Sequence, residues 1–426
     1  MLPPVLEIYV IWHPEDAEGA AVAQSFIEHY HGNRFSGLLG GAIEVYARST
    51  GWRGEKDAPR PIPLPGVVAD TGLVPAEFVA IVPVLGNELA VATREATNPW
   101  HTYLQHLLEA AGEKGSQIGI FPLLLDAGAT SNTKLGQLFN GFQLLARPNP
   151  AAPPEPEAEL RCRDLSQALA KLLGEPAGSQ RVSVFISHTK RAIDEDEADV
   201  VALVELVRGA IGHTRLGSFF DANDLQPGED WDEQLRQSAS SSALLALRTD
   251  LYASREWCQR EVRIAKEHGM PIVVLEALTK GEERGSFLLD HVPRVPVRPE
   301  NGSWRIADIR RGLNLLVDEC LKRNLWQQQR RLAEAYAELQ VDWWAPHAPE
   351  PLTLVQWLAA RRGRIAPDTQ ESGTLILHPD PPLGAEERTL LEQLARLAGL
   401  RAPFDVLTPR TLAARGVPAG RGPGDV

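Results

Sequence analysis

One stretch in the middle of the chain constrains its fold more than any other, namely Thr249–Val262 together with the segments on either side. Ser240–Leu247 ends in an apolar run typical of a buried strand, Trp257–His268 has helical composition, and Pro271–Leu278 is a second apolar run. The pattern predicts a strand, a loop, a helix and a second strand. In open parallel sheets, ligands bind at the rim formed by the carboxyl ends of the strands.

Two residues of the predicted helix are candidates for such a rim site. Trp257 and Glu261 are four positions apart, so we expect them on one helix face, in the first turn and beside the loop. A carboxylate next to an indole can bind a ligand. Two structural explanations stay open, because an acidic side chain at a helix start interacts favourably with the helix dipole and a tryptophan often anchors helix packing.

Three sequence motifs around this helix share the order and spacing of a known family. They are Ser183-Val-Phe-Ile-Ser187-His188, Phe219-Phe220-Asp221-Ala-Asn-Asp224-Leu-Gln-Pro227-Gly228 and Trp257-Cys258-Gln-Arg-Glu261. Together they resemble the three boxes of a Toll/interleukin-1 receptor (TIR) domain, over about a quarter of the chain, Arg181–Leu278. The resemblance implies an α/β fold with a flavodoxin-like parallel sheet flanked by helices.

The resemblance also implies an activity. Members that carry the Trp-x-x-x-Glu pair cleave NAD+ at the bond between nicotinamide and ribose, and Glu261 occupies the position of their essential glutamate. The nicotinamide leaves as a neutral group, so no general acid has to protonate it. A carboxylate beside the ribose stabilises the oxocarbenium-like charge of the transition state. NAD+ is then the substrate, and neither a cofactor nor a metal is expected.

Further substrate contacts are expected at the same rim. The candidates are Trp257, Ser187, His188, Lys190, Phe220 and Asp221. Lys190 and the neighbouring Arg191 would supply positive charge to the pyrophosphate. For His188 we keep the structural alternative of a hydrogen-bonded residue. For Asp221 we favour a role in ordering the loop that it begins.

Composition limits the function classes. The formal net charge of -13 argues against nucleic acid or an anionic membrane as a general partner, because both require clustered basic residues. The three cysteines are far apart, which predicts no disulfide framework and no metal site. Apolar runs are too short to span a bilayer, and the first residues lack the features of a signal peptide. We therefore predict a cytoplasmic protein.

The amino-terminal part repeats the order of elements seen in the central domain. Leu6–Trp12, Phe78–Leu85 and Ile118–Leu125 are apolar runs of strand length, and a helix begins near Trp100. Aligning Trp100 with Trp257 puts Leu104 where Glu261 stands, so this copy lacks the carboxylate. We predict that residues 1–176 form a degenerate TIR-like domain with a regulatory or partner-binding role. An unrelated flavodoxin-like domain remains an equal alternative.

The domain limits are predicted from composition and helix spacing. A proline-rich connector, Pro148–Pro156, precedes a helix that ends the first domain, and the TIR domain is predicted over residues 180–345. It ends in a long helix that begins at Ile306. Residues 346–426 contain one βαβ unit, too little for an independent domain. They either add to a neighbour or lead into a further domain.

Inside that βαβ unit, a stripe of leucines predicts one helix. Its members are spaced for a single face, Leu390, Leu391, Leu394 and Leu397. The flanking strands are predicted at Thr374–His378 and Phe404–Leu407. The preceding segment from Val341 is rich in tryptophan and proline, which indicates a packed connector.

Two function classes remain after these considerations. The first is an NAD+ glycohydrolase activated by self-association through the Asp221–Gly228 loop, with a bacterial immune role and an unidentified trigger. The second is a non-catalytic adaptor that uses the same loop for contacts between TIR domains. A phospho-receiver is excluded, because Ser187-His188-Thr189 offers no acidic cluster after the first strand of the domain.

Overall fold

A computed structural model describes most of the chain. The described residues are 4–32, 34–35, 43–66, 75–115, 117–145, 147, 153–174, 182–189, 195–220, 242–282, 284–336, 341–361, 373–400 and 403–415. For 195–199, 217–220 and 335–336 the description is limited to the backbone. The sequence also predicts a helix over Trp231–Ala239, and this segment lies outside these ranges. The chain divides into two compact units, of which the first comprises residues 1–177 with 327–336 and the second residues 178–326 with 337–426.

The first unit is a parallel sheet with helices. Its strands are β1 (Leu6–Ile11), β2 (Ile43–Arg48), β3 (Phe78–Leu85), β4 (Ile118–Ile120) and β5 (Leu123–Leu124). Its helices are α1 (Ala17–Tyr30), α2 (Asn87–Ala92), α3 (Pro99–Glu113), α4 (Lys134–Leu138) and α5 (Glu157–Leu173). The sheet order is β2-β1-β3-β4, and β5 also pairs with β3. Nearly every residue of β1 and β3 is buried, as expected for strands covered on both faces.

Two local features of this unit differ from the sequence prediction. The apolar run that begins at Ile118 forms two short strands rather than one, and Pro122, which has no backbone N–H, lies between them. The short helix α2 was not predicted. Its first turn is stabilised by Asp16, whose carboxylate accepts hydrogen bonds from the backbone N–H groups of Glu88 at 3.0 Å and Leu89 at 3.2 Å. The capping residue comes from a distant part of the sequence.

The second unit contains the sheet predicted from the central motifs. Its strands are β6 (Ser183–Ser187), β7 (Gly217–Phe220), β8 (Ser242–Arg248), β9 (Ile272–Glu276) and β10 (Arg294–Pro296), followed by the hairpin β11 (Pro299–Glu300) and β12 (Ser303–Trp304). Its helices are α6 (Glu195–Gly212), α7 (Glu256–Glu267) and the first part of α8 (Ile306–Tyr336), whose residues 327–336 belong to the first unit. Every pairing in the β10-β9-β8-β6-β7 sheet is parallel. Counted from β6, this is the 2-1-3-4-5 order of flavodoxin-like folds, which confirms the predicted fold class.

Alternating residues of β6 and β8 contribute to two separate cores. Val184 and Ile186 pack with the buried faces of α6 and α8, whereas Phe185 packs with Cys258 and Val262 of α7. This follows from strand geometry, since successive side chains point to opposite faces. Helix α7 therefore covers one face of the sheet, while α6 and α8 cover the other.

The remaining part of the second unit is a small three-stranded parallel sheet. Its elements are β13 (Trp343–Trp344), α9 (Pro351–Arg361), β14 (Thr374–Leu377), α10 (Ala385–Leu397), β15 (Phe404–Leu407) and α11 (Pro409–Arg415). The strand order is β13-β14-β15, so the predicted βαβ unit is present and gains a third strand. The segment predicted as a connector contributes both β13 and α9. None of the helices in the described segments is long and apolar enough to cross a membrane.

The predicted leucine stripe of α10 is partly wrong. Leu391 is buried, but Leu390 is 48% exposed and Leu397 is 85% exposed. The buried positions are Leu391 and Ala395, which are four apart and therefore lie on one side of the helix. The small alanine was overlooked because leucine dominated the pattern.

A buried ion pair attaches the carboxy-terminal region to helix α7. The Lys266 ammonium lies 2.7 Å from a carboxylate oxygen of Glu350, and both side chains are less than a tenth exposed. Lys266 also donates to the backbone carbonyl of Asp290 at 2.9 Å. Leu352 packs against the apolar core that contains Cys258 and Val262. The contact thus combines a desolvated charge pair with apolar burial.

We predict that Glu350→Ala lowers the free energy of unfolding of the second unit by about 3–5 kcal/mol, because it leaves the Lys266 ammonium buried without its counter-ion. The matched control is Glu267→Ala, which removes an exposed ion pair with Arg263 on the same helix and should cost less than about 1 kcal/mol. Urea unfolding followed by tryptophan fluorescence measures both. Equal losses for the two variants would contradict the assignment.

A second prediction concerns pH. His378 is fully buried, and burial lowers its pKa to about 4. An unfolded chain binds this proton at a pH near 6.5, so stability is lost as pH falls from about 6.5 towards 4, by about 2 kcal/mol at pH 5. Urea unfolding at pH 7 and pH 5 should show a loss about 2 kcal/mol smaller in His378→Gln than in the parent, and the variant keeps the contribution of His347, whose pKa burial also lowers to about 4. The exposed-site control His213→Gln should retain the parental loss, and an unchanged loss in His378→Gln would refute the prediction.

Candidate functional site

The candidate site lies at the rim predicted from the sequence. Ser187 is the last residue of β6, and the neighbouring strand β8 ends at Arg248. A single 3-10 turn, Tyr252–Ser254, then leads into α7. Because β6 and β8 are parallel and adjacent, their carboxyl ends bring Ser187, Tyr252 and the inner side of α7 together.

Three side chains form a hydrogen-bonded chain at this rim. The Ser187 hydroxyl donates to Oε2 of Glu261, and the same hydroxyl oxygen lies 2.6 Å from the phenol oxygen of Tyr252. All three are essentially inaccessible to solvent, with Glu261 only 2% exposed. The carboxylate therefore points into the domain, towards the end of β6, rather than outward into water.

Burial makes this environment unfavourable for further negative charge. Burial, followed by the adjacent Cys258 and Glu261, raises the pKa of Tyr252 well above its usual value. Burial and then the Glu261 carboxylate raise the pKa of the Cys258 thiol to about 12. At neutral pH the tyrosine and the cysteine are consequently neutral neighbours of Glu261, and each carries a hydrogen that it can donate.

The two residues of the Trp-x-x-x-Glu pair occupy different surroundings. Helix α7 begins at Glu256, so Trp257 lies in its first turn but Glu261 lies in its second, and the prediction that both lie in the first turn is wrong for Glu261. The acidic residue of the first turn is Glu256, so Glu256 rather than Glu261 makes the favourable interaction with the helix dipole. Trp257 is 40% exposed, and the Arg260 guanidinium lies 5.8 Å from its ring centroid.

The residues that follow β6 make mainly internal contacts. The carbonyl of His188 accepts a hydrogen bond from the Cys258 thiol at 3.6 Å, and Nδ1 of its ring lies 3.2 Å from the carbonyl oxygen of Thr189. Thr189 is buried, with its hydroxyl oxygen 3.4 Å from that of Thr249. These contacts fit the structural alternative for His188, and its predicted contact with substrate stays a prediction.

Several candidate contacts cannot be placed. Lys190, Arg191 and Asp221 lie outside the described residues, as does the rest of the predicted Asp221–Gly228 loop. Phe220 is described only by its backbone, as the last residue of β7. Within the described part of the chain, no group of three or more histidine, cysteine or acidic side chains is arranged to hold a metal ion.

The corresponding rim of the first unit is built differently. Trp100 is 1% exposed and its indole N–H donates to the carbonyl of Lys56 at 2.8 Å, whereas Trp257 is substantially exposed. Leu104 is also 1% exposed and packs in the apolar core. A buried leucine therefore takes the position that the sequence alignment gave to Glu261. This rim carries no carboxylate at that position, as the sequence indicated.

The sequence predicts Glu261 and Ser187 at one rim but does not distinguish Tyr252. The sequence does place a tyrosine near this rim, because Tyr252 lies five residues before Trp257 in the loop between strand and helix. Its phenol, however, could equally have faced solvent. Ser187 was predicted to contact substrate; the structure places its hydroxyl against Glu261 and Tyr252, and the predicted contact stays a prediction.

Comparisons with known proteins locate one family domain. Residues 184–302 match the family model described as TIR domain, which confirms the resemblance seen in the three motifs. No curated protein matches the chain. Among solved structures, the chain is similar to tagatose-6-phosphate ketose/aldose isomerase from Escherichia coli at 10% identity, over 77% of this chain and 84% of that one, with a TM-score of 0.17.

The buried thiol allows a direct check of the site. Because the thiolate is the reactive form, a Cys258 pKa of about 12 together with burial should protect this residue from iodoacetamide at pH 8. Peptide mass mapping after alkylation of the native protein should find Cys258 unmodified, and alkylation in urea should find it modified. Rapid native labelling of Cys258 would contradict the buried arrangement.

Proposed function

We propose that this chain, which contains a TIR domain over residues 184–302, cleaves the bond between nicotinamide and ribose in NAD+. The observation that carries the proposal is the Glu261 carboxylate, which is held inside the sheet rim by the Ser187 hydroxyl. A structural surface glutamate has no need of such an environment, because burying a carboxylate is unfavourable unless it is hydrogen-bonded. Desolvated ionisable groups in a specific polar environment cluster at functional sites.

The chemistry requires little beyond this carboxylate. Nicotinamide departs as a neutral molecule, so the reaction needs no proton donor at the leaving group. The positive charge that develops on the ribose is stabilised by a fixed negative charge, and this interaction is stronger away from water. Glu261 supplies that charge. Water, or a hydroxyl of the substrate itself, adds to the ribose carbon that nicotinamide leaves and releases one proton to solvent, so the product is linear or cyclic ADP-ribose.

Substrate access needs a change at the rim. With Glu261 only 2% exposed, a ribose reaches the carboxylate only after neighbouring segments move. We propose that self-association of TIR domains provides this movement, through the predicted Asp221–Gly228 loop. A trigger that promotes assembly would then act as the switch for activity.

The biological role follows by analogy with the family and is part of the proposal. A chain of this type would act in the bacterial cytoplasm and deplete NAD+ during infection by phage. The first unit would act as a degenerate TIR-like domain, with a regulatory or partner-binding role. Its sheet order, β2-β1-β3-β4, supports a flavodoxin-like origin, and the buried Leu104 at its rim supports the lack of catalysis.

A non-catalytic adaptor is the second candidate. The observation that favours it is the exposure of Trp257, at 40%, because exposed aromatic side chains often mark protein contacts. In this function the TIR domain would bind other TIR domains and leave NAD+ intact. The burial of Glu261 is the feature that the adaptor function does not explain.

The distinguishing experiment is a time course of NAD+ loss and nicotinamide release, measured over a series of protein concentrations and with a crowding agent. We expect parent protein to consume NAD+ more than in proportion to its concentration, because assembly activates it. Glu261→Gln should reduce the rate at least about 100-fold, since an amide cannot supply the stabilising charge. The amide can still accept from Ser187, so the fold should persist.

The matched control is Glu256→Gln, which removes an exposed carboxylate from the first turn of the same helix. This variant should keep the parental rate. If parent and Glu261→Gln consume NAD+ equally, the catalytic assignment is wrong. If neither consumes NAD+ at any concentration although the protein self-associates, the adaptor function is supported instead.

A further inference from the structure

Glu261 is connected to a second buried hydroxyl beyond Ser187. The Tyr252 phenol lies 2.6 Å from the Ser187 oxygen, and Tyr252 is 1% exposed. We propose that Tyr252 is a positioning residue for Glu261 that acts through Ser187. The inference rests on the proposed NAD+ cleavage for its kinetic consequence, but the hydrogen-bonded chain itself can be tested without catalysis.

The direction of the hydrogen bonds follows from the number of hydrogens. A serine hydroxyl has one hydrogen, and in this structure Ser187 donates it to the Glu261 carboxylate. The short contact with Tyr252 must then be donated by the phenol. Two successive O–H dipoles consequently point towards the carboxylate, and each donor strengthens the next because hydrogen bonds in a chain polarise one another.

The phenol remains a donor across the physiological pH range. Burial raises the pKa of Tyr252 well above its usual value, so the hydroxyl keeps its hydrogen at neutral pH. A deprotonated phenol at this place would add a second negative charge beside Glu261. The raised pKa of Tyr252 therefore keeps both hydroxyl hydrogens directed towards Glu261, and this direction favours the carboxylate form of Glu261.

The position of Tyr252 is fixed by its backbone and by packing. Its N–H donates to the carbonyl of Thr249 at 2.9 Å, and its carbonyl accepts from the N–H of Arg255 at 3.2 Å. Its ring belongs to the apolar core that contains Cys258 and Val262 of α7. The 3-10 turn thus fixes the position of the phenol oxygen relative to β6 and α7.

The consequence for Glu261 is that its rotamer and its charge depend on a residue that acts on it through Ser187. Without the phenol, the Ser187 hydroxyl loses one of its hydrogen-bond partners, so it holds Oε2 less firmly. We expect this loss to affect the chemical step rather than binding, because the phenol acts on the carboxylate through the Ser187 hydroxyl. The carboxylate would also accept a proton at higher pH.

The test is Tyr252→Phe in the full chain, with NAD+ cleavage measured from pH 5 to pH 8. The kcat should fall about 3- to 10-fold, which is the range expected for one hydrogen bond, while KM changes less than about 2-fold. The acid limb of the pH profile should move up by about 0.5 to 1 pH unit. A residue that only supported the fold would not shift this limb.

The chain supplies a matched control in Tyr30. This residue is also buried, and its phenol lies 3.1 Å from the Ser166 hydroxyl in the first unit. Tyr30→Phe removes a comparable tyrosine–serine hydrogen bond far from Glu261 in the sequence. It should leave the pH profile unchanged.

A double-mutant comparison tests the route through Ser187. In a Ser187→Ala background, Tyr252→Phe should have less than about 1.5-fold further effect, because the connecting hydroxyl is already gone. Independent, multiplicative effects of the two substitutions would overturn the proposal. So would an acid limb that does not move in Tyr252→Phe.

A spectroscopic measurement separates this inference from the proposed function. The protonation of Glu261 can be followed by difference infrared spectroscopy of parent against Glu261→Gln, and in parallel for the same pair carrying Tyr252→Phe. We expect the carboxyl signal to appear at higher pH without the phenol. If the parent cleaves no NAD+ but the signal shifts, the function is wrong and the positioning role stands. If cleavage occurs but neither readout shifts, the positioning role is wrong.

Discussion

The central constraint on this structure is the burial of one carboxylate. Glu261 is nearly inaccessible to water at the end of a parallel sheet, and a buried carboxylate is tolerated only where donors face it. The Ser187 hydroxyl is such a donor, and it brings Tyr252 into the same arrangement. The strand end, the 3-10 turn and helix α7 must therefore keep a fixed register. The packing that forms the fold therefore also sets the geometry of the candidate site.

Much of the fold was predictable because apolar runs dominate the strands. β3 was predicted to the residue, and the flavodoxin-like order of the second sheet followed from the resemblance to TIR domains. What could not be predicted depends on distant or small residues. Helix α2 is capped by Asp16 from another part of the chain, and the buried face of α10 includes Ala395, while two leucines of the predicted stripe face outward. Sequence spacing does not show which side of a helix packs against the rest of the protein.

The candidate site was predictable in its location but not in its internal contacts. Glu261 and Ser187 could be assigned to one rim because parallel strands bring their carboxyl ends together. The rotation of α7 that turns Glu261 inward and leaves Trp257 exposed depends on packing of Cys258 and Val262, and residue types alone do not determine it. For the same reason Tyr252, one of several polar residues in its loop, was not distinguished from the rest. Ser187 donates a hydrogen bond to the Glu261 carboxylate, and a sequence motif does not show this contact.

The ion pair between Lys266 and Glu350 bears on how the domain can be isolated. The family match ends at residue 302, yet helix α8 supplies core residues beyond it and Glu350 neutralises an ammonium on the helix that carries Glu261. A fragment cut at the limits of the match would expose the apolar face that α8 covers. It would also leave the Lys266 ammonium buried without its counter-ion. A fragment that keeps these contacts therefore extends past the homologous region, at least to Glu350. Excised TIR segments that precipitate would reflect this missing support and not a defect of the site.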